Sequence, residues 1–134
     1  MRHRHHDSER GAAAVEFALV LPLLVLLVFG IVQFSIVYNR AQGLHAAARE
    51  GARIASLPQT TQSEITTRVM DALDGVTLSA PPSITVTPST TQPCKNHPPG
   101  QTVTVRVNAQ TTIDIPIWGS VTKTLTGKGE FRCE

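Results

Sequence analysis

Hydrophobic and polar positions divide the chain into three textures. From Ala12 to Tyr38 the sequence AAAVEFALVLPLLVLLVFGIVQFSIVY is apolar almost without a break, and Glu16 is its single charge. As a helix rising about 1.5 Å per residue, these 27 residues span roughly 40 Å, enough to cross a hydrocarbon core of about 30 Å. A secretory signal has a shorter apolar region, about 7–15 residues, with a small-residue cleavage site after it. Here the run is longer, and the residues that follow, NRAQGLHAAAREGARIAS, continue a helical pattern. The pattern therefore predicts one retained helix over residues 12 to about 56. Pro22 cannot donate to the carbonyl of Ala18 and is expected to bend it locally, which membrane helices tolerate. Pro58 closes it, because the residue before a proline disfavours helical backbone. Residues 1–11, MRHRHHDSERG, are polar, carry no hydrophobic period and read as a tail.

A second helix is expected from Thr61, whose spacing to Glu64 fits a capping box. Ile65, Val69, Ala72 and Leu73 then fall on one face, and Gly75 supplies a stop. Beyond it the texture turns to Thr, Val and Pro. Ser83–Pro88 is a short strand candidate. Thr102–Gln110 is a stronger one, with Val103, Val105, Val107 and Ala109 alternating against Thr102, Thr104, Arg106 and Asn108. Val121–Cys133 also alternates, placing Leu125, Phe131 and Cys133 on one face that Lys123 interrupts. Gly127 and Gly129 within it are expected to mark a bend or bulge. The turn-rich PSTTQPCKNHPPG, from Pro88 to Gly100, is a loop. The predicted class is α+β: a leader over 1–11, a transmembrane helix over 12–38, a helical extension over 39–57, and a small lobe with a second helix and an antiparallel sheet over 58–134.

Composition sharpens this picture. The chain has 134 residues and a net charge of +2, and its charged fraction is 16%, against about 25% in ordinary soluble domains. Four of the six aromatic residues, Phe17, Phe29, Phe34 and Tyr38, lie in the first forty positions, leaving Trp118 and Phe131 for the lobe. An average soluble enzyme is a poor match. No Lys/Arg cluster interleaved with aromatics appears, so no nucleic-acid partner is expected. Arg2, Arg4 and Arg10 precede the apolar helix and Arg40, Arg49 and Arg53 follow it, so the positive-inside count is a draw. Cys94 and Cys133, an even number in the soluble part, suit a disulfide in an oxidising compartment and break the draw. The expected arrangement is an N-terminus in the cytoplasm, one membrane crossing and a lobe outside.

Candidate chemistry is sparse. A Cys94–Cys133 bridge would close a loop of about 40 residues in a lobe too small and too poor in aromatics for a generous core. Cys94 and His97 have ligand-like spacing and Cys133 could join them, but three ligands without a second paired motif make a weak metal site, and no metal or other cofactor is expected. His3, His5 and His6 form a short tract that reads as part of a solvated basic leader. No Ser/His/Asp arrangement and no phosphate-binding glycine loop is present, so no catalytic residues are assigned. Gly43, Ala47, Gly51 and Ala55 recur at a spacing of four. Such a stripe admits a second helix closely, and it equally suits an Ala-rich helix lying on its own sheet.

Glu16 stands out because a carboxylate near hydrocarbon is costly unless it faces a partner or reaches headgroup water. It is the fifth residue after Gly11, which ends the short basic leader. With this spacing on the page, RGAAAVEFALVLPLLVLLVFGIVQF followed by AAREGAR resembles the TadE-like proteins of the tight-adherence (Tad/Flp) pilus system, which are related to type IV pilins. The likeness runs from Arg10 to about Arg53. It implies a cut by a prepilin peptidase between Gly11 and Ala12, and a register role for Glu16 with Phe17 beside it. Major Flp pilins usually carry tyrosine after the glutamate and are much shorter, so the resemblance implies a minor pilin or pseudopilin, not the filament's main subunit. The implied partners are the prepilin peptidase, the major Flp pilin, other minor pilins and the inner-membrane assembly platform. The alternative is an unprocessed single-pass anchor whose lobe binds a ligand or surface partner in the cell envelope.

Overall fold

The computed structural model describes residues 5–88, 91–95, 98, 100–115 and 119–134, with side chains from Gly11 onward. Helix α1 runs His5–Ala55, with Pro22 inside it. It starts earlier than the sequence pattern indicated, because the polar leader has no apolar period to reveal a helix yet contains no breaker before Gly11. It ends at Ala55, three residues short of Pro58. The chain divides into two compact units, the first ending at Ser35 and the second running Ile36–Glu134.

In the first unit, every side chain from Gly11 to Ser35 is exposed except Gln33, which is half-buried. The segment is helical without a protein core to explain it. Its apolar character all round is what a membrane solvent requires, since a helix satisfies its own backbone groups in hydrocarbon. This is the one helix among the described residues long and apolar enough to cross a membrane.

The second unit has a core of its own. Helix α2, Gln62–Ala72, opens with the expected capping box: the Thr61 hydroxyl accepts from the Glu64 backbone N–H at 3.3 Å, and the Glu64 carboxylate accepts from the Thr61 backbone N–H at 2.8 Å. Ile65, Val69 and Leu73 are buried. Ala72, expected on the same face, is exposed, because the buried line follows an exact i, i+4, i+8 row and leaves its flank in solvent. Gly75 follows with φ of 85°, a conformation that costs glycine little.

Three strands form an antiparallel sheet in the order β1-β2-β3: β1 Ser83–Thr87, β2 Thr102–Ile115 and β3 Gly119–Arg132. β2 continues five residues past the expected end at Gln110, carrying its alternation through Thr111 and Ile113 to Ile115. Val103, Val105, Val107, Ala109 and Thr111 are buried on its inner face, beside Val86 of β1. The core is made of valine, alanine, leucine and isoleucine with Cys94 and Cys133; Phe131, on the same face, is 40% exposed.

Gly127 and Gly129 correct the expectation of a bulge. Residues 102–115 pair with 132–119 in unbroken register, so neither glycine is an insertion. Both lie on the inner face, and α1 runs directly over them. A Cβ on Gly127 would collide with the backbone of Leu44 and lie 2.8 Å from the His45 nitrogen; one on Gly129 would collide with the Ala48 backbone and lie 2.6 Å from the Arg49 nitrogen. The glycines thus form a trough that lets helix backbone meet sheet backbone.

Cys94 and Cys133 are joined in a disulfide with Cα atoms 5.4 Å apart. Adjacent backbone bonds secure the C-terminus: Cys133 N–H donates to the Gln101 carbonyl at 2.7 Å and Glu134 N–H to the Ser56 carbonyl at 3.1 Å. With both sulfurs in the bridge, neither is a thiolate available to a metal, which removes the Cys94, His97 and Cys133 ligand set; His97 itself lies outside the described residues.

Candidate functional site on the N-terminal helix

Gly11, Ala12, Glu16 and Phe17 all lie within α1 and are exposed. A Cβ built on Gly11 meets nothing within 4 Å among the described residues, so these leave room for a methyl group there. Any need for glycine at that position must come from something that approaches it. Glu16 stands one helical turn past Ala12, at the N-terminal end of the apolar run. Among the described residues it has no hydrogen-bond or ion-pair partner. The side chains one and two turns on, Val20 and Leu23, are exposed and apolar, so a carboxylate at Glu16 has no polar company over the next two turns of its face.

The small-residue stripe is placed differently. Ala47, Gly51 and Ala55 are buried inside the second unit, and Gly43 is half-buried. A Cβ on Gly51 would run into the Val69 side chain of α2 and sit 3.3 Å from Val105 of β2; one on Gly43 would sit 2.8 Å from Val76. The stripe brings α2 and the sheet onto α1, so the lobe itself occupies the face on which a partner helix was one of two sequence alternatives. The stripe and the Glu16 region share a helix but serve separate surfaces.

Three carboxylates on the lobe are held by local partners. Arg53 holds Glu50 through two hydrogen bonds of 3.0 and 2.8 Å, which keep the Glu50 carboxyl below its ordinary range. The Glu64 carboxyl is held low by the Thr61 backbone N–H and then by its hydroxyl. Glu130 is held low by Lys128, 2.6 Å away, and by the Thr104 hydroxyl. These are structural arrangements: a pair along α1, the cap of α2, and an ion pair along β3 joined by a cross-strand hydroxyl. Among the described residues no group of three or more His, Cys, Asp or Glu side chains could hold a metal ion. An open groove lined by Leu57, Thr60, Ser63, Glu64, Thr67 and Arg68 mixes apolar and charged groups without converging polar atoms on one point.

Sequence reasoning missed two contacts that fix α1 to the sheet. One is the glycine trough, whose signal was present as two glycines on the inward-facing positions of an alternating strand. The other is the hydrogen bond from the Arg40 guanidinium to the buried Thr111 hydroxyl, 71 residues away in sequence and carrying no local signature.

These features define a class: a small α+β lobe built onto the C-terminal part of one long helix whose N-terminal part is membrane-compatible. Residues 11–53 match the family described as TadE-like protein. The match starts at Gly11 and stops two residues before α1 ends, so it covers the exposed apolar helix and its extension into the lobe. Over that segment the chain is similar to TadE-like proteins, and the similarity suggests a role in Tad pilus assembly. No curated protein and no solved structure matches the chain.

Proposed function

We propose that this protein is a minor pilin or pseudopilin that works by assembly and carries out no reaction of its own. In this account a prepilin peptidase hydrolyses the Gly11–Ala12 peptide bond, leaving a carboxylate on Gly11 and a free amine on Ala12. The N-terminus faces the cytoplasm, α1 crosses the inner membrane once, and the lobe stands outside. In a bundle of such helices the Ala12 amine of one subunit meets the carboxylate of another. Glu16 takes the amine of its neighbour and fixes the axial offset between helices, with Phe17 packing beside the pair. The neighbours are the major Flp pilin and other minor pilins, delivered through the inner-membrane assembly platform.

One observation carries this reading: the family match begins at Gly11, and the helix that follows displays a single carboxylate without a partner amid exposed apolar side chains. A plain anchor has no use for that charge. Breaking a buried ion pair by removing one partner costs about 3–5 kcal/mol, enough to disfavour misregistered assembly. The test is Glu16→Val. Removing a costly carboxylate leaves insertion intact or improved. The variant is expected to insert and to be cut after Gly11, yet to lose co-purification with pilin partners and to fail to support piliation. Assembly equal to that of the parent protein would overturn the register role and leave Glu16 as an edge residue reaching water.

A further inference from the structure

The three-stranded sheet has two outer edges, and they are unlike. β1 is five residues long, with Pro81 and Pro82 before it and Pro88 after it, so residues without an N–H bound it at both ends. β3 is fourteen residues long, contains no proline and has β2 on one side only. The backbone N–H and C=O groups of a strand turn to opposite sides from one residue to the next. On β2 the Gln110 carbonyl and the Thr112 N–H both bond to Ser79, away from β3, so the even-numbered residues of β2 face outward. Their partners on β3 are also even-numbered, and the Lys128 N–H duly donates to His45 Nδ1 of α1 at 3.3 Å. Ser120, Thr122, Thr124 and Thr126 thus present a row of main-chain donors and acceptors that no described residue pairs, and all four side chains are exposed. The row closes at Lys128, where His45 takes the N–H.

The side chains of the open stretch, Ser120–Thr126, select what can pair with it. Its outer face carries one serine and three threonines. Its inner face carries Val121, Lys123 and Leu125. Lys123 is exposed, and its cross-strand neighbour is Thr111, whose buried hydroxyl accepts from the Arg40 guanidinium. Two cations therefore flank Thr111, and among the described residues neither has a carboxylate partner. Asp74 lines a small cavity with Arg40 but forms no ion pair with it. A second copy of β3 is a poor fit. Antiparallel self-pairing over the open stretch centres on residue 123 and sets one Lys123 directly opposite the other, and like charges so placed are destabilising. Registers shifted one way need the Lys128 N–H that His45 holds, and those shifted the other way run out of strand at Gly119. An inward-facing charge on an edge strand is a recognised device against self-pairing. A strand with a carboxylate at the central position meets neither obstacle.

We propose that the open edge of β3, Ser120–Thr126, is a strand-addition surface for a different protein, and that it takes an antiparallel segment with aspartate or glutamate opposite Lys123. Main-chain hydrogen bonds supply the attachment, and Lys123 chooses the partner. Every residue involved belongs to the lobe's own compact unit, so the surface exists whether or not Gly11 is cut and whichever way α1 crosses a membrane.

The test uses the full chain in detergent micelles and two synthetic peptides, Thr-Val-Thr-Glu-Thr-Val-Thr and its lysine-centred counterpart. Binding is followed by amide chemical shifts and hydrogen exchange. The glutamate-centred peptide is expected to protect the amides of Thr122 and Thr124 most, with Ser120 and Thr126 less and Lys128 unchanged. It should bind about fivefold more tightly than the lysine-centred peptide, the swing expected on reversing one cross-strand charge pair. Lys123→Glu, a change at an exposed side chain, should invert that preference. N-methylation of the two threonines flanking the glutamate should abolish binding, because it removes N–H groups that the edge must accept. Equal binding of the two peptides, no binding of either, or protection that survives N-methylation would overturn the inference. Protection of the same amides that rises with protein concentration in the absence of peptide would put a second copy on the edge and overturn it as well.

Discussion

Replacing Gly129 with alanine adds one methyl group at the closest approach of helix to sheet. That methyl would lie 2.6 Å from the Arg49 nitrogen and closer still to the Ala48 carbonyl, whereas ordinary carbon contacts begin near 3.4 Å. The obstructing atoms are helix backbone, so no side-chain rotation relieves the clash. Either α1 lifts by about an ångström or β3 bends away, and both loosen Leu44, Ala47 and Ala48 from Val105 and Val107. Overpacking by a methylene costs about 1–3 kcal/mol, and a backbone obstacle puts this site at the upper end. For a unit of this size about 3 kcal/mol corresponds to a loss of roughly 12–24 °C in melting temperature. Gly127→Ala, against Leu44 and His45, should behave alike. Lys128→Ala, between the two on the opposite face, is the control and should stay within about 0.5 kcal/mol of the parent. The assay is unfolding of the full chain in detergent, followed by hydrogen exchange of the β2 and β3 amides so that the membrane helix does not dominate the signal. If both glycine variants matched the control, the trough would not be what seats α1 on the sheet.

Two further outcomes follow from the lobe. Reducing the Cys94–Cys133 bridge releases a loop of about 40 residues and should cost about 4 kcal/mol by loop entropy; denaturant unfolding with and without reductant measures this, and coincident curves would contradict it. Glu64 has a carboxyl held below its unfolded value, so its contribution to stability is complete above that unfolded value and is lost as pH falls through the lower folded one. Stability of the parent should therefore fall more steeply than that of Glu64→Gln across the acid range, and parallel pH profiles would show that the cap does not titrate with folding.

Local chemistry made much of this fold legible. The Thr61–Glu64 cap and the valine alternation of β2 are written within a few residues, and the structure places both where the spacing put them. The same holds for the apolar helix, whose length and composition leave little choice. What the sequence left open depends on which surfaces meet. In sequence Gly127 and Gly129 read as a bend or bulge, and only the position of Leu44 and Ala48 over them shows a close approach instead. The Gly43–Ala55 stripe fits a partner helix or the chain's own lobe, and the burial of Gly51 under Val69 selects the lobe. Ala72 was misplaced because a helical face read from four residues is wider than the single row that α2 buries. At the Glu16 region the case is reversed: sequence spacing and family likeness carry the functional reading, and the exposed helix adds that the carboxylate has no partner within its own chain among the described residues.

Processing at Gly11 is the step on which the pilin-like account turns, because without it no Ala12 amine exists for a neighbour's Glu16. The direct measurement is the mass of the N-terminal peptide of the protein purified from cells that contain an active prepilin peptidase, alongside a Gly11 variant with a bulky side chain. Because a Cβ at Gly11 meets nothing within 4 Å among the described residues, that variant is expected to fold and insert normally and report on the peptidase alone. The account predicts a parent chain beginning at Ala12 and a variant that keeps residues 1–11. A parent chain that still carries residues 1–11 would contradict it and leave a plain membrane-anchored lobe.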